Sequence, residues 1–345
     1  VSGIGSSETI EAADVGLGRG DPLPFEFRPS ACPSPLIVSF PHVGLDWPAS
    51  LGPRPQVNFP RNADYAVDRL YVRAEAHGAA TLRARYSRLV IDLNRAADDV
   101  GPELVPDHPA PRPRASLSEP VSGDPRKPIR NRGVLWASAV GNIPLLTTLP
   151  HEQLERRLAQ FYWPYYRALE LLVERRRRRF GYAILLDAHS MPGTVAGDLV
   201  LGTRSGRACA PELIDLATRI LSGHGAAARQ QFGSRWPLAL AIDDPYRGGQ
   251  IVTTFGRPAA RVHALQLEVS RSLYMDEGRL DPLPLPLPRD LEPVRPRPAQ
   301  TQQRDRRQLL ALVGALDALV AELTRGQPAL SCATDRTKLT RAGGD

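Results

Sequence analysis

The sequence predicts an α/β domain built on a largely parallel or mixed sheet. Three observations predict it. Short apolar runs of strand length alternate with segments whose apolar residues recur at helical spacing. Several of those runs end abruptly in polar residues, as strands do when their carboxyl ends face a ligand. The chain has 345 residues, 42% of them hydrophobic, which is enough apolar material for one large core or two ordinary ones.

Residues 1–34 contain Gly and Pro without a clear period, which predicts a flexible leader. Residues 35–40, PLIVSF, are a candidate buried strand. Residues 64–77 carry Val67, Leu70, Tyr71 and Ala74 at helical spacing, and residues 86–93 read as a second strand. Residues 101–134 are rich in Pro, Arg, Asp and Ser. That is too long for an ordinary connection and predicts a surface excursion. Residues 151–180 form the strongest helical segment, with Leu154, Leu158, Phe161, Tyr165, Leu169 and Leu172 along one side; Pro164 is expected to kink or split it. Residues 182–188 are a compact buried strand, 199–201 begin another, 211–221 are helical, and 262–269 are a further strand. Residues 281–301 alternate Pro with Leu and Arg, as an extended linker does. An amphipathic helix follows within 302–325, then a loose tail over 326–345. The expected organisation is one catalytic domain over 35–280 that carries the excursion, with the helix of 302–325 packed against it.

The 44 basic residues, almost all Arg, outnumber the 37 acidic ones, and the formal charge is +7. The densest run, Arg175 to Arg179, ends the helical segment, where backbone carbonyls favour cations. It reads as a solvated helix end, and no nucleic-acid module can be picked out. Three scattered cysteines, Cys32, Cys209 and Cys332, exclude a disulfide scaffold and a Cys-rich zinc module. No apolar stretch reaches the roughly 18 residues of a membrane span. The first residues lack the basic-then-apolar pattern of a signal peptide, so a cytoplasmic, reducing location is expected.

Chemistry-bearing residues cluster where strands end. In SFPHVG, His42 follows the first strand directly, with Gly44 leaving room beside the backbone. In LLDAHS, a very apolar strand ends in Asp187, His189 and Ser190. Burying a carboxylate there without a partner costs several kcal/mol, so a cation or donor is expected nearby. Two strand-end histidines plus an acid form the usual protein ligand set of a catalytic zinc. Asp64 and Asp46 are candidates for the acid, and Asp187 could instead orient an imidazole. In SRLVIDLNR, Arg88, Asp92, Asn94 and Arg95 fall together, and Arg is the natural partner of a carboxylate. In QLEVSRSLYMDE, Glu268 lies in or at the end of a strand and suits a general base. In DDPYRGG, two glycines allow close backbone approach, and Arg247 could hold an anion.

Taken in order, "SFPHVG", "DYAVDRLY", "SRLVIDLNR", "LLDAHSMP", "DDPYRGGQIVTTFG" and "VHALQLEVSRSLYMDE" resemble the N-formylglutamate amidohydrolase family. The resemblance implies a phosphorylase/hydrolase-like, zinc-carboxypeptidase-like three-layer sandwich with a mixed central sheet. It implies hydrolysis of N-formyl-L-glutamate to formate and L-glutamate in histidine breakdown. His42, Asp64 and His189 would hold one divalent metal ion, zinc by expectation, and Asp46 stays an alternative acid. Glu268 would be the catalytic base and Arg88 the residue that polarises the scissile carbonyl. Asn94 and Arg95 would bind the α-carboxylate, and Arg247 with Gly248 the remainder of the substrate. The expected partner is a small N-acyl amino acid, with neither nucleic acid nor membrane. The competing readings are a carboxypeptidase-like hydrolase, an N-acyl amino acid deacylase of other specificity, and a non-catalytic protein that binds an acidic metabolite.

Overall fold

A computed structural model describes residues 8–110, 132–195, 197–232, 238–282, 299–326 and 330. Its centre is a mixed sheet of seven strands. These are β1 (Phe25–Arg28), β2 (Leu36–Phe40), β3 (Ala80–Ala84), β4 (Ala183–Met191), β5 (Leu199–Gly202), β6 (Leu240–Ile242) and β7 (Val262–Ser270). Their spatial order is β1-β3-β2-β4-β7-β5-β6. The four inner strands β3, β2, β4 and β7 run parallel. At one edge β1 lies antiparallel on β3; at the other, β5 is antiparallel to β7, and β6 runs parallel to β5.

Four longer helices cover the sheet. Residues 151–180 form α1, an α-helix over His151–Arg157 and Trp163–Phe180 joined by a π turn over Leu158–Tyr162. Pro164 has no N–H for the ladder and crowds the preceding turn, so the helix shifts register there rather than breaking. The others are α2 (Pro211–Phe232), α3 (Gln250–Phe255) and α4 (Ala299–Thr324).

Strand alternation sends successive side chains to opposite faces. Leu36, Val38 and Phe40 of β2 and Ile184, Leu186 and Ala188 of β4 meet Leu213 of α2 and Leu312 of α4 in one core. Ile37, Ala183, Leu185 and Ala264 meet Tyr165 and Leu169 of α1 in the other. With both faces covered, β4 and β7 are buried at all nine of their positions. Leu186→Ala, in the middle of β4, is expected to lower unfolding free energy by about 2–5 kcal/mol, measured by urea denaturation.

Several expectations need correction. Over its described part, residues 8–34, the leader is packed: Val15 and Phe25 are buried against α1, and β1 is a sheet edge. Arg167 donates to the Val15 carbonyl at 3.0 Å, and Arg176 pairs with Glu8 at 2.7 Å. The Arg run is therefore not wholly solvated, since Arg176 is buried in that pair. Residues 86–93 are an isolated bridge at Tyr86 followed by turns and irregular chain, and the strand lies earlier, at β3. Leu89, Val90, Ile91 and Leu93 are buried from turns and irregular chain, so burial imitated a strand pattern. The true strand was disguised by Thr81 and Arg83, which both hydrogen-bond to Glu75. Residues 64–77 divide into two short helical turns, Val67–Tyr71 and Ala74–His77. Within the Pro-rich excursion, Leu104, Val105 and Val134 are buried; its residues 111–131 lie outside the described residues. So do 283–298 of the expected linker and all of the expected tail except 326 and 330. Among the described residues, no helix is long and apolar enough to cross a membrane.

Candidate active site

The face of the sheet under α1 changes character at one level. On that face β2 presents Ile37 then Ser39, β4 presents Leu185 then Asp187 and His189, and β7 presents Ala264 then Gln266 and Glu268. Ser39 is opposite Asp187, Asp187 opposite Gln266, and His189 opposite Glu268. The register therefore lines up a polar patch at the carboxyl ends of three parallel strands, where open α/β sheets bind ligands. His42 lies two residues beyond β2. The chain then returns so that the Asp64 N–H donates to the His42 carbonyl at 2.9 Å. Gly44 permits that path, because a Cβ there would come within 2.4 Å of the Tyr86 carbonyl oxygen.

His42, Asp64 and His189 converge in a buried cluster whose ligand atoms all lie within 4.8 Å of one another. His42 Nε2 is 2.8 Å from Asp92 Oδ1, and His189 Nε2 is 2.8 Å from Asp187 Oδ2. An ionised carboxylate only accepts, so each imidazole donates through Nε2 and turns Nδ1 inward. His189 Nδ1 is 2.8 Å from Asp64 Oδ2, and His42 Nδ1 is 3.4 Å from the same oxygen. His42 Nδ1 has no hydrogen-bond partner despite being buried. Two inward lone pairs facing one carboxylate need a proton or a cation among them. With both outer nitrogens held by carboxylates, the donor set fits a divalent metal such as zinc.

Asp46, the alternative acid, is exposed and pairs with Arg85 at 2.9 Å, away from the cluster. Asp187 occupies the orienting position, with its other oxygen accepting from Ser39 at 3.0 Å.

The charges are strongly perturbed. Burial raises the Asp64 carboxyl, but its hydrogen bond to His189 and the closeness of the two imidazoles hold it well below the usual range. Burial lowers His189, but Asp187 and Asp64 hold its imidazole well above the ordinary value. Burial raises Glu268 to about 7; the neighbouring His189 opposes this and Asp64 adds to it. A carboxyl poised near neutrality beside a strand-end histidine suits proton transfer. Gln266 Nε2 donates to Glu268 Oε1 at 2.9 Å.

Arg88 is tied to the cluster through Asp92, donating from Nε at 3.1 Å and Nη2 at 2.6 Å. Asp92 also accepts from Trp136 Nε1 at 3.0 Å and from the Asn94 N–H at 3.0 Å. Of the two arginines that the sequence places near Asp92, Arg88 and Arg95, it is Arg88 that forms the ion pair, and the Asp92 carboxylate also holds a site histidine. Asn94 Nδ2 donates to Gln266 Oε1 at 3.3 Å, while its Oδ1 accepts from the Ile251 N–H at 2.9 Å. The side chain ties three segments together, so both faces of its amide are engaged inside the protein. Gly249 lies against it, and a Cβ there would come within 2.4 Å of Asn94 Nδ2. Arg95 is half-buried beside Asp92, whose carboxyl it helps hold down. Arg247 is exposed on the loop before α3, and its carbonyl accepts from the Arg204 N–H.

Sequence reasoning missed two contributors. Arg271 is buried and donates to the Ala63 carbonyl at 2.6 Å and to Ser190 Oγ at 3.1 Å, with Asp64 Oδ1 3.6 Å away. Trp136 braces Asp92. Arg271 lies inside a quoted motif, only three residues past Glu268, so the signal was present; Trp136 had none. Asp92→Asn is expected to weaken metal binding about 10–100-fold by loosening His42, measured by competition with a chelating dye.

Compared with known proteins, residues 34–275 match a family model described as N-formylglutamate amidohydrolase. N-formylglutamate deformylases of Pseudomonas aeruginosa and Pseudomonas putida are each 31% identical over 252 residues, 70% of this chain and 83% and 82% of theirs. The crystal structure of an N-formylglutamate amidohydrolase from Ralstonia eutropha JMP134 is similar with a TM-score of 0.67 at 29% identity. It covers 88% of this chain and 99% of that one.

Proposed function

Since the chain belongs to the N-formylglutamate amidohydrolase family, we propose that it is a metal-dependent hydrolase that cleaves N-formyl-L-glutamate to formate and L-glutamate. The observation that carries the metal-dependent part is the buried His42–Asp64–His189 cluster with Glu268 in register beside it. Kinship of the three-layer fold with the zinc carboxypeptidases belongs to the same reading, as does a place in histidine breakdown in the cytoplasm.

His42, His189 and Asp64 would hold the metal, the imidazoles through the Nδ1 atoms that face inward. When bound, zinc supplies Lewis acidity toward water and the formyl carbonyl. Glu268 removes the proton from the attacking water and delivers it to the departing amine. Arg88 donates to the oxygen on which negative charge develops; one such donor is worth about 3–4 kcal/mol in comparable sites. Asp92 fixes both Arg88 and His42, so the electrophilic and metal-binding halves move together. Arg95, placed by Asn94, takes the α-carboxylate, and Arg247 and Gly248 border the substrate from the loop before α3.

The test is formate release from a panel of N-formyl and N-acetyl amino acids, with and without zinc and after chelation. Chelator-sensitive formate release with N-formyl-L-glutamate preferred is expected. Release unaffected by metal removal rejects the metal, and preference for a peptide or an N-acetyl substrate favours the competing hydrolase readings.

A further inference from the structure

We propose that Arg132 is a specificity-determining residue of this site, the cation that receives the side-chain carboxylate of the N-formyl amino acid; this rests on the reading of the previous section. Arg132 lies at the end of the Pro-rich excursion and belongs to none of the motifs that carry the family resemblance. It reaches the site through Trp136. The Arg132 guanidinium carbon is 4.5 Å from the centre of the Trp136 ring, and that of Arg88 is 4.6 Å from the same centre. The indole in turn donates to Asp92 Oδ2 at 3.0 Å. A backbone bridge between Arg132 and Trp136 fixes where the arginine starts. A guanidinium placed on a hydrogen-bonded aromatic platform is pre-positioned, so little freedom is lost when it binds an anion.

The charge count points the same way. Arg88 is neutralised by Asp92, and Arg271 lies beside Asp64. Among the described residues, no carboxylate is within ion-pair distance of Arg95 or Arg132. Arg132 is partly buried, and burial first, then the like charges of Arg88 and Arg95, push its guanidinium below the ordinary value. Three guanidinium groups thus gather around one buried carboxylate. The two that lack an ion-pair partner among the described residues match the two carboxylates of a dicarboxylic substrate, one for Arg95 and one for Arg132. Arg247, the other candidate for the side-chain carboxylate, is exposed on a separate loop.

The full-length protein, Arg132→Ala, Arg132→Lys and Arg247→Ala are compared in two measurements. Calorimetry gives their affinities for L-glutamate and L-glutamine; steady-state formate release gives kcat and KM for N-formyl-L-glutamate and N-formyl-L-glutamine. Arg132→Ala should weaken L-glutamate binding and raise KM for the dicarboxylate about 10- to 100-fold, the range of a charge-assisted pair. Its kcat should stay within about threefold, with both glutamine compounds little affected. Arg132→Lys should keep part of the preference, because it retains the charge but not the fork. Equal losses on the acid and the amide, retained preference in Arg132→Ala, or loss of preference in Arg247→Ala instead would overturn the assignment. A parent protein that prefers L-glutamate through Arg132 yet releases no formate defeats the proposed reaction and leaves this inference standing. A parent without that preference defeats the inference whether or not formate is released.

Discussion

Replacing Glu268 by Gln is expected to lower kcat about 10²- to 10⁴-fold while leaving metal content unchanged, and to make the metal-free protein more stable above neutral pH. The two effects share one cause. Burial raises the Glu268 carboxyl to about 7 in the folded protein, from a value near 4.5 in the unfolded chain. Below about pH 4.5 the group is protonated in both states and contributes no pH-dependent difference. Between the two values the unfolded chain releases a proton that the folded protein retains, so stability falls as pH rises. Above about pH 7 the loss is complete and constant, on the order of 3 kcal/mol at about 1.4 kcal/mol per pH unit. Gln carries no charge to desolvate and escapes that loss. Urea denaturation in the presence of chelator should find the two proteins close at pH 4.5 and the variant ahead at pH 8. Retained turnover removes Glu268 as the base, and an unchanged stability difference between the two pH values removes its poised proton.

His189→Ala is expected to abolish both metal binding and turnover, and to destabilise the metal-free protein by about 3–5 kcal/mol. The imidazole touches two buried carboxylates, Asp64 through Nδ1 and Asp187 through Nε2, each at 2.8 Å. Removing it strands both. Asp64 keeps His42 and Arg271 nearby, whereas Asp187 keeps only Ser39 of its named partners. The larger share of the stability loss is therefore assigned to Asp187, and Asp187→Asn in the same background should recover part of it. Elemental analysis and a urea melt decide the matter. A variant with the parent's metal content is incompatible with His189 as a ligand.

The candidate metal cluster was legible because His42 and His189 terminate apolar runs, and the sheet brings strand ends together. Glu268 was legible for the same reason. Asp64 became legible through the family pattern rather than through its own surroundings, since nothing local separates it from Asp46. The wider role of Asp92 was not legible: a pair with Arg88 four residues away explains a buried acid fully, and the contacts to His42 and Trp136 span 50 and 44 residues. The packed start of the chain was hidden likewise, because Glu8 finds Arg176 across 168 positions. The edge strands β1 and β6 are only four and three residues long, too short to show a strand period, and pairing with neighbours creates them.

The alignment of His189 with Glu268 across β4 and β7 has a consequence for heat resistance. Both side chains are mounted on the two central, wholly buried strands, so their spacing is held by the same backbone ladder that holds the molecule together. A slip of one residue between those strands would carry Glu268 to the opposite face. The amides of these strands belong to the last part of the structure to open, and they should exchange with solvent hydrogen only through global unfolding. The spacing of His189 and Glu268 then has no softer mode of failure of its own. On slow heating, loss of turnover and loss of the folded state should follow a single curve.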